Sequence, residues 1–232
     1  MAKRKLKKFA EVRTFDNCFF LSFEDSRAEG LPLKGKWHTD YFKNNNPIVL
    51  ELGCGKGEYT VGLAQRYPEK NFIGVDIKGN RIWTGAKAAV ENKMNNVAFV
   101  RTRIDFIDAC FSEGEVNEIW ITFPDPQPQL SRIRNRLTNK IFLDRYKKIL
   151  VDNGIVNLKT DSASFYEYTH EVIAENKLEL LDATNDLYAD ITQRDEVLTS
   201  IKTYYEKKFS DKGFKICSTA LKAICENAAG RS

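Results

Sequence analysis

The stretch IVLELGCGKGE, residues 48–58, decides the fold of this 232-residue chain. Its first five residues form a mostly apolar run that predicts a buried strand, and glycines at three alternate positions then predict a tight turn. A helix is predicted over 58–67, directly after the turn. The order of strand, glycine-rich turn and helix is typical of α/β folds in which a ligand lies beyond the carboxyl ends of the strands.

The rest of the chain repeats this alternation of short apolar runs and longer helical segments. Further strands are predicted at 72–77, 97–100, 118–123, 154–158, 178–183 and 214–221, and helices at 81–93, 106–111, 139–150 and 164–175. Strands that read as continuous apolar runs between helices indicate a mostly parallel sheet with helices on both faces. We therefore predict a Rossmann-like, doubly wound α/β fold with seven strands.

The first 45 residues lack this alternation, and their start is strongly basic. The basic residues there are Lys3, Arg4, Lys5, Lys7 and Lys8. We predict a basic, irregular N-terminal extension over 1–45 and a single domain over 46–232. The start lacks the apolar core of a secretory signal, and no apolar run approaches the roughly 18 residues of a membrane span. We therefore expect a cytoplasmic protein with no membrane partner.

Net charge is +4, and a second basic cluster follows the fourth predicted strand. Its members are Arg132, Arg134, Arg136, Lys140, Arg145, Lys147 and Lys148. Such a cluster can neutralise the phosphates of a nucleic acid, or it can be a solvated face. Its position after a strand end favours phosphate contact.

Cysteine and histidine are used in a way that argues against metal and disulfide chemistry. Five cysteines are scattered without C-x-x-C spacing, and the chain has only two histidines. The cysteines are Cys18, Cys54, Cys110, Cys217 and Cys225. We expect buried free thiols and no metal site.

Two carboxylates accompany the glycine turn. Glu51 comes just before Gly53, Gly55 and Gly57, and Asp76 ends the next predicted strand, where it can accept hydrogen bonds from ribose hydroxyls. A dinucleotide site needs G-x-G-x-x-G, but its third glycine position is Glu58, and a pyrophosphate disfavours neighbouring acids. Carboxylates suit the ammonium and sulfonium groups of S-adenosylmethionine. A methyltransferase is favoured, while a dinucleotide enzyme and a non-catalytic Rossmann-like domain stay open.

The fourth predicted strand ends in FPDPQP, residues 123–128. The prolines on both sides of Asp125 restrict its backbone, so this carboxylate is held stiffly at the strand end. A fixed carboxylate close to a methyl donor and a basic cluster indicates methylation of a nucleic-acid base. The alternative is a structural proline-rich turn.

These segments together resemble a known family. Phe123–Leu137 is similar to the segment F-P-D-P-W-x-K-x-R-x-x-K-R-R-L of bacterial tRNA (guanine-N7-)-methyltransferases. Lys159-Thr160-Asp161 is similar to that family's T-D motif, and residues 203–209 (TYYEKKF) to its T-x-Y-E-x-K-F motif. With the glycine turn, the resemblance covers about residues 47–222. It implies a class I methyltransferase sheet with an antiparallel last strand.

The resemblance also implies a reaction and the residues that perform it. The family uses S-adenosylmethionine to form 7-methylguanosine at guanine 46 of the tRNA variable loop. It implies that Glu51, Asp76 and the glycine turn bind the cofactor, and that Asp125 is the catalytic residue beside both cofactor and base. The residues implied to contact the guanine or its nucleotide are Gln129, Asp161, Thr203, Tyr204, Tyr205 and Glu206. Phosphate contacts are expected from Arg132, Arg134 and Arg136.

This sequence departs from the family pattern at three places. The family's Trp is Gln127 here, and its frequent Lys is Gln129, so a substrate-binding cation is either missing or supplied by Arg132 or Arg134. An acid expected near the adenine aligns with Arg103, or with Asp105 after a two-residue slip. A monomer and a homodimer are both compatible with the sequence. Other RNA bases, non-RNA substrates, or an RNA-binding protein without catalysis are the alternative functions.

Overall fold

The computed structural model describes residues 2–190 and 196–223, with side chains from residue 5 onward. These residues form one sheet of eight strands in the order β1-β4-β3-β2-β5-β6-β8-β7. The strands are β1 (Cys18–Phe20), β2 (Ile48–Leu52), β3 (Asn71–Asp76), β4 (Val97–Arg101), β5 (Val116–Thr122), β6 (Leu150–Thr160), β7 (Glu179–Thr184) and β8 (Cys217–Lys222).

The sheet is parallel except around its last strand. β1 to β6 pair in parallel, and β8 runs antiparallel to both β6 and β7. The predicted doubly wound, mostly parallel fold with an antiparallel last strand is therefore confirmed. All seven predicted strands are present.

The eighth strand is a correction to the predicted count of seven. Cys18–Phe20 pairs with Phe99–Arg101 at the edge of the sheet, inside the segment predicted to be irregular. Three residues are too few to show a strand pattern in the sequence. The strand is stabilised by its pairing with β4 and not by local β-propensity. The same segment contributes Trp37 to the core, where it is fully buried. The predicted domain boundary at residue 45 stays a prediction.

Helices cover both faces of the sheet. The helices are α1 (Ala2–Glu11), α2 (Phe23–Arg27), α3 (Glu58–Arg66), α4 (Gly79–Glu91), α5 (Lys140–Ile149), α6 (Ala163–Glu175), α7 (Val197–Ser200) and α8 (Tyr204–Ser210). Short 3₁₀ segments lie at Val12–Thr14, Ile104–Ala109 and Leu130–Asn135, and a π-helical turn at Trp37–Phe42. Two apolar clusters result, one under α3 and α4 and the other under α5, α6 and the π-helical turn. This layering leaves the carboxyl ends of the strands open.

The last glycine of the turn brings α3 close to the sheet. Gly57 has φ +71°, and a Cβ there would lie 2.6 Å from Cε1 of Phe99 on β4. Only glycine adopts this positive φ without strain and leaves room for the Phe99 ring. The start of α3 is thereby fixed directly behind the glycine turn.

Several expectations concern what the chain lacks. In the described ranges, no helix is long and apolar enough to cross a membrane, and no three His, Cys, Asp or Glu side chains are grouped as a metal site. Cys18, Cys54, Cys110 and Cys217 are free thiols, and the last three are buried. Cys225 lies outside the described residues.

Candidate active site

A cavity of about 840 Å³ opens at the carboxyl ends of β2 to β6. It is lined by residues that the sequence places in several separate motifs. The predicted site residues among them are Glu51, Gly53, Gly55, Asp76, Arg103, Asp105, Asp125, Asp161, Thr203, Tyr204 and Tyr205. The fold thus gathers segments that are far apart in the sequence around one space, as expected for ligand sites of doubly wound sheets.

Glu51 is held at the floor of this cavity by two threonines. Its Oε2 accepts a hydrogen bond of 2.8 Å from the Thr60 N–H and another from the Thr60 hydroxyl, and its Oε1 accepts one of 2.6 Å from the Thr122 hydroxyl. Burial, with a smaller effect from nearby Asp76, raises the pKa of Glu51 to about 7. A cationic ligand group would favour the charged form of this carboxyl.

Asp76 shapes the glycine turn from the next strand. One carboxylate oxygen accepts from the Gly55 N–H at 2.9 Å and the other from the Lys78 N–H at 2.7 Å. A carboxylate has about four acceptor positions, so two remain for ligand hydroxyls. Gly53 has φ +77°, and a Cβ there would meet nothing within 4 Å. The turn therefore leaves open space for a ligand close to the backbone.

The end of β4 contributes a third wall. Nε and Nη2 of Arg103 donate to Oδ2 of Asp105 at 3.1 and 3.0 Å, so the two candidates for the adenine region form an ion pair beside the cavity. Thr102 just before them is 3% exposed, and among the described residues its hydroxyl has no hydrogen-bond partner. The sequence prediction missed Thr102, since an isolated Thr after a strand carries no signal of its own.

The proline-flanked loop after β5, the strand next to β2, also lines the cavity. The Phe123 N–H donates to the Lys159 carbonyl at 2.8 Å, which ties the loop to β6. Asp125 is exposed to the cavity, and its Oδ1 accepts from the Gln127 N–H at 3.1 Å. Phe123 and Gln127 have φ values of +47° and +45°, a region that non-glycine residues rarely adopt. Each precedes a proline, which adds to the steric restriction.

The remaining wall comes from β6 and α8. Asp161 is half-buried after β6, and burial raises the pKa of its carboxyl above the ordinary value. Thr203 caps α8 because its hydroxyl accepts from the Glu206 N–H at 3.1 Å. The Tyr204 N–H donates to Glu58 at 3.0 Å. The aromatic rings of Tyr204 and the neighbouring Tyr205 are partly exposed at the cavity.

Two predicted site residues are placed elsewhere. Glu206 is fully buried outside the cavity lining, with Oε1 2.8 Å from Nζ of Lys159, while its Oε2 has no hydrogen-bond partner among the described residues. Its contact with guanine stays a prediction. Arg136 is only 7% exposed, and its Nε donates to the carbonyls of Pro126 and Gln127. Its contact with tRNA phosphate stays a prediction. In this structure Glu206 connects α8 to β6 through Lys159, and Arg136 connects its own segment to the proline-flanked loop.

Four other predicted residues lie outside the cavity lining. Gln129, Arg132 and Arg134 are exposed on the segment that leaves the proline-flanked loop, and Gly57 is packed against Phe99. Sequence reasoning also missed Thr60 and Thr122, whose only signal is their place at a helix start and a strand end.

Comparison with known proteins identifies the family. A family model described as "Putative methyltransferase" matches residues 45–219. A tRNA (guanine-N(7)-)-methyltransferase of Bacteroides fragilis is 51% identical over 93% of this chain and 84% of that protein. The chain belongs to the tRNA (guanine-N(7)-)-methyltransferase family. Relatives of the same name from Porphyromonas gingivalis and Listeria welshimeri are 50% and 36% identical, over 88% and 79% of this chain and 84% and 83% of those proteins.

Solved structures agree with the fold of this family member. The 16S rRNA methyltransferase KamB superposes with a TM-score of 0.60 at 14% identity, over 78% of this chain and 90% of that chain. A 16S rRNA (adenine(1408)-N(1))-methyltransferase from Catenulisporales acidiphilia gives 0.55 at 14% identity, over 84% and 93%. At this identity the similarity establishes the class I methyltransferase fold alone.

Proposed function

We propose that this chain transfers the methyl group of S-adenosylmethionine to N7 of a guanine in tRNA, at position 46 of the variable loop. The observation that carries the proposal is one cavity lined both by the acid-and-glycine turn and by Asp125 and Asp161. The names of relatives up to 51% identical support the same reaction.

The cavity suits S-adenosylmethionine chemically. The carboxylates of Glu51 and Asp76 match its ammonium group and its ribose hydroxyls, and the space beside Gly53 admits the chain close to the backbone. The unpartnered hydroxyl of Thr102 provides a buried group that a bound adenosine would satisfy. When bound, the cofactor supplies a methyl group already activated by its sulfonium.

Guanine N7 carries an unshared electron pair at neutral pH, so the protein needs no base to create the nucleophile. Its task is placement, and holding two reactants in line contributes about 7–11 kcal/mol. Transfer puts positive charge on the purine. Asp125 and Asp161, on two walls of the cavity, stabilise that charge and accept hydrogen bonds from N1–H and N2–H.

The same carboxylates select guanine over adenine. Adenine lacks the N1–H and N2–H donors and would leave a carboxylate unpaired once the base covers it, which costs far more than losing an apolar contact. Tyr204 is half exposed, and its ring stacks on a base drawn out of the RNA. Arg132 and Arg134, exposed beside the loop, supply phosphate contacts for the flanking nucleotides.

Incubation of the full chain with unmodified tRNA and S-adenosylmethionine tests this proposal. Mass spectrometry of the digested nucleosides is expected to show 7-methylguanosine, and chemical cleavage at that nucleoside is expected to map it to position 46. Another methylated base, or a methylated guanine elsewhere, contradicts the corresponding part of the proposal. No methylation at all indicates a binding protein without catalysis.

A further inference from the structure

The loop that presents Asp125 is hydrogen-bonded to one arginine side chain, Arg136. Nε of Arg136 donates to the carbonyl oxygens of both Pro126 and Gln127, at 3.1 and 3.3 Å. These are the two residues that directly follow Asp125. Arg136 itself is 7% exposed, and its Nε donor is used by these two carbonyl oxygens.

The Arg136 guanidinium also contacts the ring of Tyr168 on α6. Cζ of Arg136 lies 4.4 Å from the centre of the Tyr168 ring, within cation–π range. The Tyr168 hydroxyl accepts from Nδ2 of Asn139 at 2.6 Å, which fixes the ring at the start of α5. The guanidinium thus contacts the loop through Nε and also contacts a ring that is held by its own hydrogen bond.

The loop needs such a support because its backbone is strained. Phe123 and Gln127 both have left-handed φ values, and each is followed by a proline. Strained conformations persist only where surrounding contacts enforce them, and they concentrate at functional sites. The Phe123 N–H is tied to β6, whereas the carbonyls at the Gln127 end are tied to Arg136.

We propose that Arg136 is a positioning residue, which locks residues 123–128 in the conformation that presents Asp125 to the base and does not bind tRNA phosphate. The inference rests on the proposed function for its activity readout. Arg132 and Arg134 in the same segment are exposed and serve as matched controls for phosphate contact.

The kinetic test compares Arg136→Lys with Arg132→Lys and Arg132→Ala. Lysine keeps the charge but not the planar, stacked donor, so Arg136→Lys is expected to lower kcat by about 10- to 100-fold. The KM for tRNA and its salt dependence stay as in the wild type. Arg132→Ala is expected to raise the KM and reduce the salt slope by about 1, while Arg132→Lys retains both. Wild-type kcat in Arg136→Lys overturns the proposal, because a phosphate contact, like that of Arg132, would survive the change to lysine.

A second measurement does not depend on activity. Hydrogen exchange of the Gln127 amide, which donates to Asp125, is expected to accelerate in Arg136→Lys and in Tyr168→Leu, and to keep its wild-type rate in Tyr168→Phe, which keeps the ring. Thermal unfolding and S-adenosylhomocysteine binding show that each variant is folded. Unchanged exchange in Arg136→Lys overturns the positioning role, even if wild-type protein proves to methylate another substrate. Wild-type inactivity on tRNA with accelerated exchange in the variant would instead contradict only the proposed function.

Discussion

Nζ of Lys159 on β6 lies 2.8 Å from Oε1 of Glu206 on α8, and neither side chain is exposed to solvent. The Tyr188 hydroxyl donates to the same carboxylate oxygen at 2.7 Å, and Lys159 also donates to the Leu198 carbonyl. Burial lowers the pKa of Lys159, which the negative charge of Glu206 opposes. This pair joins the strand end that carries Asp161 to the helix that carries Tyr204.

Removal of one partner should destabilise the protein strongly. Glu206→Ala leaves a buried ammonium without its counter-charge, so we expect a loss of about 3–5 kcal/mol in the free energy of unfolding. The double variant Lys159→Met/Glu206→Leu should recover much of that loss, because no buried charge remains. Urea denaturation measures both. A Glu206→Ala protein as stable as the wild type but unable to bind guanine would return Glu206 to the substrate site.

Glu51 should make both stability and ligand binding depend on pH. Its pKa is about 7 in the folded protein, against an ordinary value of 4.5. An acid with a raised pKa stabilises the fold below its unfolded value, and this contribution is lost as pH rises through 7. Relative to Glu51→Gln, the wild type should therefore lose about 3 kcal/mol of unfolding free energy between pH 4.5 and 8.

The same carboxyl should bind a cationic ligand better when it is charged. We expect the affinity for S-adenosylhomocysteine, which carries an ammonium group, to fall as pH decreases below 7 in the wild type. Glu51→Gln should bind more weakly and with little pH dependence over that range. Isothermal titration calorimetry at pH 6 and 8 measures both. Equal pH dependence in the two proteins would exclude Glu51 from ammonium binding.

A substitution at Thr102 can distinguish a contact with the cofactor from a role in stability. Its hydroxyl is buried without a partner, so replacing it by the methyl group of Thr102→Val should leave the stability of the free protein unchanged or slightly higher. If the adenosine satisfies that hydroxyl, the variant should bind S-adenosylhomocysteine more weakly by about 0.5–1.5 kcal/mol. Thermal shift and calorimetry measure the two effects. Unchanged affinity would contradict the assignment of Thr102 to the cofactor.

Asp125→Asn tests the electrostatic part of the mechanism. Asn keeps the shape but loses the negative charge and presents an amide donor to the guanine N1–H. We expect kcat to fall by about 10²–10³, with S-adenosylhomocysteine affinity largely preserved. Single-turnover methyl transfer on tRNA measures the rate. Wild-type turnover by this variant would remove the Asp125 charge from the mechanism.

The outline of the site follows from the sequence because parallel strands bring their carboxyl ends together. Glu51, Asp76 and Asp125 all stand at ends of predicted strands, so their meeting at one edge is a consequence of the fold. The short strand Cys18–Phe20 could not be predicted, since its stability comes from pairing with β4.

Arg136 and Glu206 show a different limit of sequence-based prediction, because their burial was not predicted. Arg136 belongs to a run of basic residues, and Glu206 to a polar stretch, which are both patterns of exposed surface. What buries them is a partner far away along the chain, namely the carbonyls of the strained loop and Lys159. The spacing of apolar and polar residues along the chain does not predict such long-range pairings. The motif similarity did not predict that these two side chains are buried.

The most direct test of methyl transfer to N7 uses tRNA with 7-deazaguanosine at position 46. This base keeps the N1–H and N2–H donors that Asp125 and Asp161 are proposed to recognise, but it has no N7 lone pair. We predict that the wild-type protein binds this tRNA as tightly as the guanosine form and transfers no methyl group to it. Methylation of the 7-deazaguanosine tRNA at the guanosine rate would contradict N7 as the acceptor and the guanine geometry inferred for this cavity.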